Sequence, residues 1–297
     1  MTAKPNRRFR YLPQYLAISP FFVLFAIFGV YPVLYSLYLA FQRWDGIGPM
    51  QWVGARNFEF LVQDSVFWTS VGNTFLIWIM STVPMTVLAI LIAVGLNSSI
   101  RFKGLYRIAY FAPNVTSIVA VSIVFTSVFS TQFGVLNSLL KWVGLDPVGW
   151  LTDPWGIKVA ISVMIIWRWV GYNAIIFLAG LQAIPQEVYE AARIDGAGTV
   201  QTFFRVTLPL LRPVLLFSVV MSAINGLQIF TEAQVLVGQR GGPEDAGMTM
   251  VLYFYNQAFQ GNDFGYGAAI AWGIFVLVVL FTIINWRLVQ RPEREVR

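Results

Sequence analysis

The most constraining feature of this sequence is a succession of apolar runs that carry almost no charge. They lie at about residues 15–41, 67–96, 107–130, 157–181, 208–237 and 264–289. About 20 apolar residues cross the hydrocarbon of a bilayer, so each run is long enough to span one. Lipid offers no partner for a bare backbone N–H or C=O, which leaves the helix as the form such isolated runs can take. Only 11% of the 297 residues are charged, against about a quarter in a soluble domain. The expected fold is therefore all-α, a polytopic membrane protein with about six transmembrane helices in a single membrane domain, residues 14–290. Tails at 1–13 and 291–297 flank it. The first run is too long for a signal-peptide core and no A-x-A-like site follows, so it reads as a retained span. Residues 248–259 are apolar but too short to span, and are expected as a helix lying in or near the outer surface.

Charge placement sets an orientation. Six spans put both termini on one side. That side holds Lys4, Arg7, Arg8, Arg10, Arg101, Lys103, Arg107, Arg193, Arg205, Arg212, Arg287, Arg291, Arg294 and Arg297. The other side holds Arg43, Arg56, Lys141, Lys158 and Arg240, with Arg168 inside a span. Basic loops stay cytoplasmic, so both termini are expected in the cytoplasm of a prokaryotic cell, whose inner membrane the chain crosses. The net charge of +6 is thus a topology signal and not a nucleic-acid footprint; no nucleic acid partner is expected. The chain has no cysteine and no histidine, which excludes disulfides, Cys/His metal sites and a His-based triad. No GxxxxGK[ST] phosphate loop occurs, so the chain does not itself cradle ATP. No credible pair of carboxylates for glycoside chemistry is present, and an enzyme is not expected.

Between the fourth and fifth runs, on the cytoplasmic side, lies a polar and apolar mixture, residues 184–213. Pro185 suits a first helical position and Glu187 and Glu190 suit the N-terminal half of a helix ending near Ile194. Ala191 and Ala192 leave a patch poor in side chains, which another surface can approach. Gly196 can take the positive φ that ends a helix. Thr199 reads as the cap of a second short helix to about Val206, and Leu208-Pro209 and Pro213 open the fifth run. A helix, glycine turn and second helix result. A cytoplasmic loop with no partner is the plain alternative.

Here the chain resembles a family. Glu190-Ala191-Ala192, Asp195-Gly196-Ala197, Phe203 and Leu208-Pro209 are similar, in type and spacing, to the EAA loop of the membrane subunits of binding-protein-dependent ABC importers. Phe58, Phe67-Trp68 and Asn73-Thr74 resemble the start of the second span of sugar-type permeases. Residues 101–104, Arg107 and Pro113 resemble the approach to their third span, residues 178–185 the approach to their loop, and Gly241-Gly242-Pro243 their glycine-rich outer loop. The likeness covers most of residues 15–290 and is nearest to the maltose and glycerol-3-phosphate type. Gln239-Arg240 departs from the small or hydroxyl residues more usual there. The resemblance implies that loop 184–207 is a coupling helix-turn-helix that docks on a separate ATPase. Glu190, Ala191, Ala192, Asp195, Gly196, Ala197, Leu208 and Pro209 would carry the coupling, with the two acids hydrogen-bonding within or across the loop. It further implies a second, homologous permease subunit, two copies of the cytoplasmic ATPase, an extracytoplasmic solute-binding protein and a sugar-like or polyol solute. ATP and magnesium would sit on the ATPase, and this chain would bind no cofactor.

The candidate solute path rests on polar residues in apolar runs. Asn225, Gln228 and Glu232 are spaced to share one face of a continuous fifth helix, and lipid cannot satisfy such a stripe. Ligand contact and hydrogen bonding between helices are both open for Asn225 and Gln228; Glu232 lies near the outer end and can reach water. Arg168, flanked by Trp167 and Trp169, costs roughly 2.5–3.5 kcal/mol at mid-membrane. It needs a partner, for which Glu232 is a candidate, or it snorkels to the outer headgroups. Tyr172, one turn on, and Asn173 suit stacking on a sugar and hydrogen bonding to hydroxyls, or plain packing. An ion-coupled secondary transporter is the rival reading; neither the inverted repeat nor the broken helices common in that class are evident in the sequence.

Overall fold

The computed structural model describes residues 11–98 and 101–289. The basic residues Lys4, Arg7, Arg8, Arg10, Arg291, Arg294 and Arg297 of the two expected tails lie outside the described residues. Helices dominate. Four are long and apolar enough to cross a membrane: Leu12–Leu39, Ser65–Asn97, Pro154–Gln182 and Phe264–Ile284. Two further pairs qualify as one span each if joined across a bend: Lys103–Val115 with Ile118–Val128, bent by 94°, and Thr199–Leu210 with Arg212–Gly226, bent by 64°. The count of about six holds on that basis, but the third and fifth spans are broken, not continuous as expected. The lack of broken helices, which weighed against a secondary transporter in the sequence, therefore does not hold.

Packing divides the chain into two units. The first comprises residues up to Gln63 together with Phe254–Gly273. Its long helix Leu12–Leu39 passes through a π turn, Ala26–Val30, just before Pro32. Proline cannot donate a ladder hydrogen bond, and a π turn is one way to absorb the loss. A two-stranded ribbon follows, Gln42–Arg43 against Gln51–Trp52. Its turn is fixed by Asp45, whose Oδ1 accepts from the amides of Ile47 at 3.0 Å and Gly48 at 2.8 Å. Trp44 donates its indole N–H to the Gly48 carbonyl and packs on Phe264.

The second unit comprises Asp64–Tyr253 and the chain from Ile274 onward. The Ser65–Asn97 helix runs straight through Pro84 and is capped by Asp64, which accepts from the amides of Val66 and Phe67. It packs along Pro154–Gln182. Their shared core holds Ala89, Ala93, Ala174, Phe177 and Leu181, and Leu211 joins it from the bend of the fifth span. The third span approaches the fourth so closely that a Cβ on Gly171 would strike the Tyr110 carbonyl. The connection from 131 to 153 is not featureless. It contains a helix, Val135–Trp142, and buried Asn137 ties its ends: Nδ2 donates to the carbonyls of Thr131 and Val148, and Oδ1 accepts from the Val148 amide and the Trp150 indole.

The short helix expected at 248–259 exists, as Met250–Tyr255 followed by a π turn, Asn256–Gln260. Met250 and Leu252 are fully buried, so one side of this helix is packed into the protein. The preceding glycine-rich loop is fastened to the second span. Asn73 Nδ2 donates to the carbonyls of Asp245 and Met248, and the Thr74 hydroxyl accepts from the Met250 amide. Tyr253 donates its hydroxyl proton to Asp64, a carboxylate that also caps the second span.

Candidate functional site

The loop between the fourth and fifth spans folds into two helices joined at Gly196. The first is Gln186–Ile194, with Pro185 as its N-cap and not its first helical residue. Its end is a Schellman motif: Gly196 has φ +76°, the Gly196 amide donates to the Arg193 carbonyl at 3.0 Å, and the Ala197 amide donates to the Ala192 carbonyl at 2.9 Å. Both exposed carbonyls of the last turn are thereby satisfied by backbone alone. No side chain is needed for the cap, and the carboxylates of Glu190 and Asp195 make no hydrogen bond among the described residues. The expected bonds of these two acids within the loop are thus absent. Both acids and Ala191 are exposed, while Ala192 is buried. A Cβ at Gly196 would touch nothing, so glycine is required there by backbone angle and not by space.

The second helix begins at Thr199, with Gly198 as the cap in place of Thr199. It does not stop near Val206. It passes through a π turn, Phe203–Thr207, and reaches Leu210. Leu208 and Pro209 lie in the last turn of this helix, just before the bend. The bend falls at Leu211, which has no exposure and is wedged against Gly180. Ile184 and Phe203 pack on the same core from either side of the loop. The residues that the sequence did not single out are Ile194 at 86% exposure, Val200 at 71% and Phe204 at 61%. They are large apolar side chains on a polar loop. Their exposure could have been read from the helix-turn-helix periodicity once Ala192 and Phe203 were assigned inward.

From the bend the Arg212–Gly226 helix leads, over about 20 Å at 1.5 Å per residue, to a cavity of about 290 Å³. This is at the low end for a small-molecule site. Its walls come from the second, fourth and fifth spans and include Trp78, Trp169, Tyr172, Asn225, Gln228 and Glu232. The three polar residues of the fifth span do meet at one place, but not on one helical face. The helix ends at Gly226, and a turn holds Gln228 before a new helix, Thr231–Val237, carries Glu232. In that turn Leu227 and Ile229 are buried, while Gln228 between them is exposed. Asn225 and Gln228 each donate to the carbonyl four residues back, at 2.8 and 3.0 Å. Their amide oxygens carry no hydrogen bond among the described residues.

Two features hold the turn. Thr249, fully buried, donates its hydroxyl proton to the Ile229 carbonyl at 2.6 Å. Trp78 lies so close to Gly226 that an added Cβ would collide with its ring. The Trp78 indole N–H is buried with no partner, the one cavity-lining donor in this condition among the described residues. Trp78 was not foreseen, because a tryptophan in an apolar run carries no local mark that separates a wall from a lipid anchor.

Asn173 is buried and fully engaged. It donates to the Trp169 carbonyl at 3.0 Å and toward Met85 Sδ, and its Oδ1 accepts from the Ser218 hydroxyl at 2.6 Å. It binds three spans together at the cavity wall, which it lines. Tyr172 stands edge-on to Trp169 with ring centres 5.7 Å apart. Arg168 is not among the residues lining the cavity. Its Nη1 donates to the Thr116 carbonyl at 3.3 Å and its guanidinium lies 5.9 Å from the Trp169 ring centre. Thr116 is where the third span breaks, with extended backbone that leaves helical hydrogen bonding. Arg168 thus supplies a donor to the broken end of a neighbouring helix, and it makes no ion pair with Glu232 at salt-bridge distance among the described residues.

Residues 64–294 match the family described as the binding-protein-dependent transport system inner membrane component. The chain is 37% identical over 284 residues to the lactose transport system permease protein LacF of Rhizobium radiobacter, covering 94% of this chain and 95% of that one. It is 38% identical over 291 residues to the arabinooligosaccharides transport system permease protein AraP of Halalkalibacterium halodurans, covering 95% and 90%. Among solved structures it superposes on a chain of a bacterial ABC transporter involved in the import of the acidic polysaccharide alginate. The TM-score is 0.81, with 25% identity, over 96% of this chain and 97% of that one. The loop with its glycine turn, the cavity at the broken fifth span and these likenesses agree: the chain belongs to the family of binding-protein-dependent transport system inner membrane components, the multi-pass permease subunits of ABC importers.

Proposed function

We propose that this subunit carries a neutral sugar or short oligosaccharide inward, and that the cavity at the broken fifth span is the part of the path it contributes. The observation that carries the reading is the pairing of aromatic faces, Trp169 and Tyr172, with unengaged amide oxygens on Asn225 and Gln228 around one space. Aromatic faces suit the C–H surface of a sugar ring, and amide oxygens suit its hydroxyls. Lactose and arabinooligosaccharides are named for two of the relatives, which supports the class. Glu232 at the rim would favour cations or hydroxyls over anionic solutes.

The same proposal includes the assembly. A second permease of the same family, two cytoplasmic ATPases and an extracytoplasmic solute-binding protein complete the importer; one related structure is described as in complex with a periplasmic protein. Both termini and the Gln186–Leu210 loop face the cytoplasm by the basic-residue count. ATP and magnesium are held by the ATPase. The exposed trio Ile194, Val200 and Phe204, with Ala191, Glu190 and Asp195, is the docking surface, and it bears on the ATPase as a rigid Schellman-capped corner. Leu211 and the Arg212–Gly226 helix carry its displacement to the cavity. Differential binding of the ATPase to two arrangements of the spans does the work, and no covalent bond is made here.

The test is uptake of labelled di- and oligosaccharides by proteoliposomes holding the full complex with its binding protein. Replacing Gln228 by Leu and Tyr172 by Ala should each reduce uptake about tenfold, from the loss of roughly 1.4 kcal/mol, while binding-protein-stimulated ATP hydrolysis persists. Unchanged uptake in both variants would remove the cavity from the path. Uptake without the ATPase would favour ion coupling instead.

A further inference from the structure

We infer that the Val135–Trp142 helix is a membrane-surface anchor, lying with one face in the lipid headgroup layer beside the ends of the third and fourth spans. The helix divides sharply. Asn137 is buried and locks the connection to Thr131, Val148 and Trp150, and Leu136 and Leu140 are half-buried on the same side. Val135, Leu139 and Trp142, spaced four and three apart, form the opposite face, exposed at 57%, 54% and 85%, and Phe133 just before the helix is exposed at 87%. Nothing else in the described chain covers this face.

What covers it is indicated by its neighbours. The helix is tethered within a few residues of Val128, where a span ends, and within a dozen of Pro154, where the next begins. It is therefore held at the level of the span ends, at a membrane boundary. The exposed residues Val119, Ile123 and Val124 of the third span are apolar as lipid requires, and so is the exposed face of the short helix that follows it. Tryptophan beside lysine is the composition that headgroups favour, and it occurs twice: Lys141-Trp142, and Trp155 with Lys158 Nζ 5.5 Å from its ring centre. An apolar face of this kind buries itself a few ångströms below the headgroups while lysines stay at the surface. Anchored in this way, the rigid connection held by Asn137 would fix the depth of the third span's outer half, which packs on Thr231–Val237 beside the cavity.

The chain has no cysteine, so spin labels can be placed singly. Leu139→Cys, Trp142→Cys and Ser138→Cys, each in the complete transporter with cysteine-free partner subunits, would be reconstituted in vesicles of phosphatidylethanolamine and phosphatidylglycerol. Relaxation by oxygen and by a water-soluble nickel chelate then reports the surroundings. The expected result is an oxygen-to-chelate ratio at Leu139 and Trp142 roughly threefold or more above that at Ser138. Chelate access at Leu139 and Trp142 equal to that at Ser138 would overturn the inference, since the face would then be in water. Exclusion of both reagents would also overturn it, since a partner protein would then cover the face. Val135→Cys serves in place of either label if that variant fails to assemble.

Discussion

The turn that breaks the fifth span depends on one hydroxyl distant in sequence. Thr249 donates to the Ile229 carbonyl at 2.6 Å and accepts from the Leu252 amide at 3.4 Å, capping the next helix. Thr249 has no exposure and Ile229 is 5% exposed. Valine at 249 keeps the shape and removes the hydroxyl. A buried carbonyl left without a donor costs about 1–3 kcal/mol, and the lost cap adds about 0.5–1 kcal/mol. Serine at 249 keeps the hydroxyl and removes a methyl from a packed site, at about 1 kcal/mol. Thr249→Val is therefore expected to be the worse change, though valine is the better match in volume. A loss of 1 or 2 kcal/mol alters a two-state population by a factor of roughly 5–30, enough to show as reduced uptake by the turn losing its shape. The assay is the denaturation midpoint of the purified complex together with maximal uptake rate. If Thr249→Val is as stable as the parent, or more stable than Thr249→Ser, the hydroxyl does not hold the break and the cavity wall needs another explanation.

Gly226→Ala sets two effects against each other: alanine gains about 1 kcal/mol of helix propensity, but its Cβ collides with Trp78, whose ring Phe281 also crowds at 5.1 Å. Overpacking costs about 1–3 kcal/mol, so net destabilisation is expected by thermal melting, and a stabilised variant would contradict the packing. At Gly196, alanine should cost about 1–2 kcal/mol from its left-handed backbone, asparagine less, and proline most; the order is to be read as the loss of uptake per ATP hydrolysed. Arg168→Leu should lower stability by about 1 kcal/mol through the Thr116 carbonyl, and leave the half-saturating sugar concentration unchanged; a large rise there would make Arg168 a ligand group. The amides of Ile47 and Gly48 hold the Asp45 carboxyl below its ordinary 3.8, Gly48 more than Ile47. A depressed folded pKa means that the turn's stabilisation is fully present above the ordinary value of 3.8 and is lost as pH falls from there through the lowered folded value. Exchange protection of the two amides should accordingly survive to pH 3.8 and be lost only in stronger acid; loss at higher pH would refute the Asx turn.

The apolar runs made the spans legible, because lipid imposes one secondary structure on any run of sufficient length. The helix-turn-helix between the fourth and fifth spans was legible for a different reason: Gly196 and the alanines before it form a local motif whose hydrogen bonds close within six residues. The breaks at Thr116 and Gly226 were not legible. Neither has a proline at the break itself, and each is stabilised by a group from elsewhere, Arg168 for the first and Thr249 with Trp78 for the second. For the same reason Asn225, Gln228 and Glu232 were rightly grouped but by a wrong geometry. They converge because a turn redirects the chain, not because one helix aligns them. Asn173 and Arg168 read as candidates for the solute, since a polar residue in an apolar run signals only that some partner exists. In both, the structure supplies that partner from a neighbouring helix. The Val135–Trp142 helix was hidden in a connection whose polar and apolar residues average out, and only the burial of Asn137 separates its two faces.

The account turns on force reaching the spans through the Gly196 corner. Its most direct measurement is disulfide trapping between a cysteine at Ile194 or Ala191 and cysteines placed across the surface of the ATPase, in the assembled transporter with and without ATP. The account expects efficient trapping at a defined ATPase groove, with uptake abolished by the cross-link and restored by reduction. Absence of trapping anywhere on the ATPase, with the same cysteines freely labelled in the assembled complex, would contradict it.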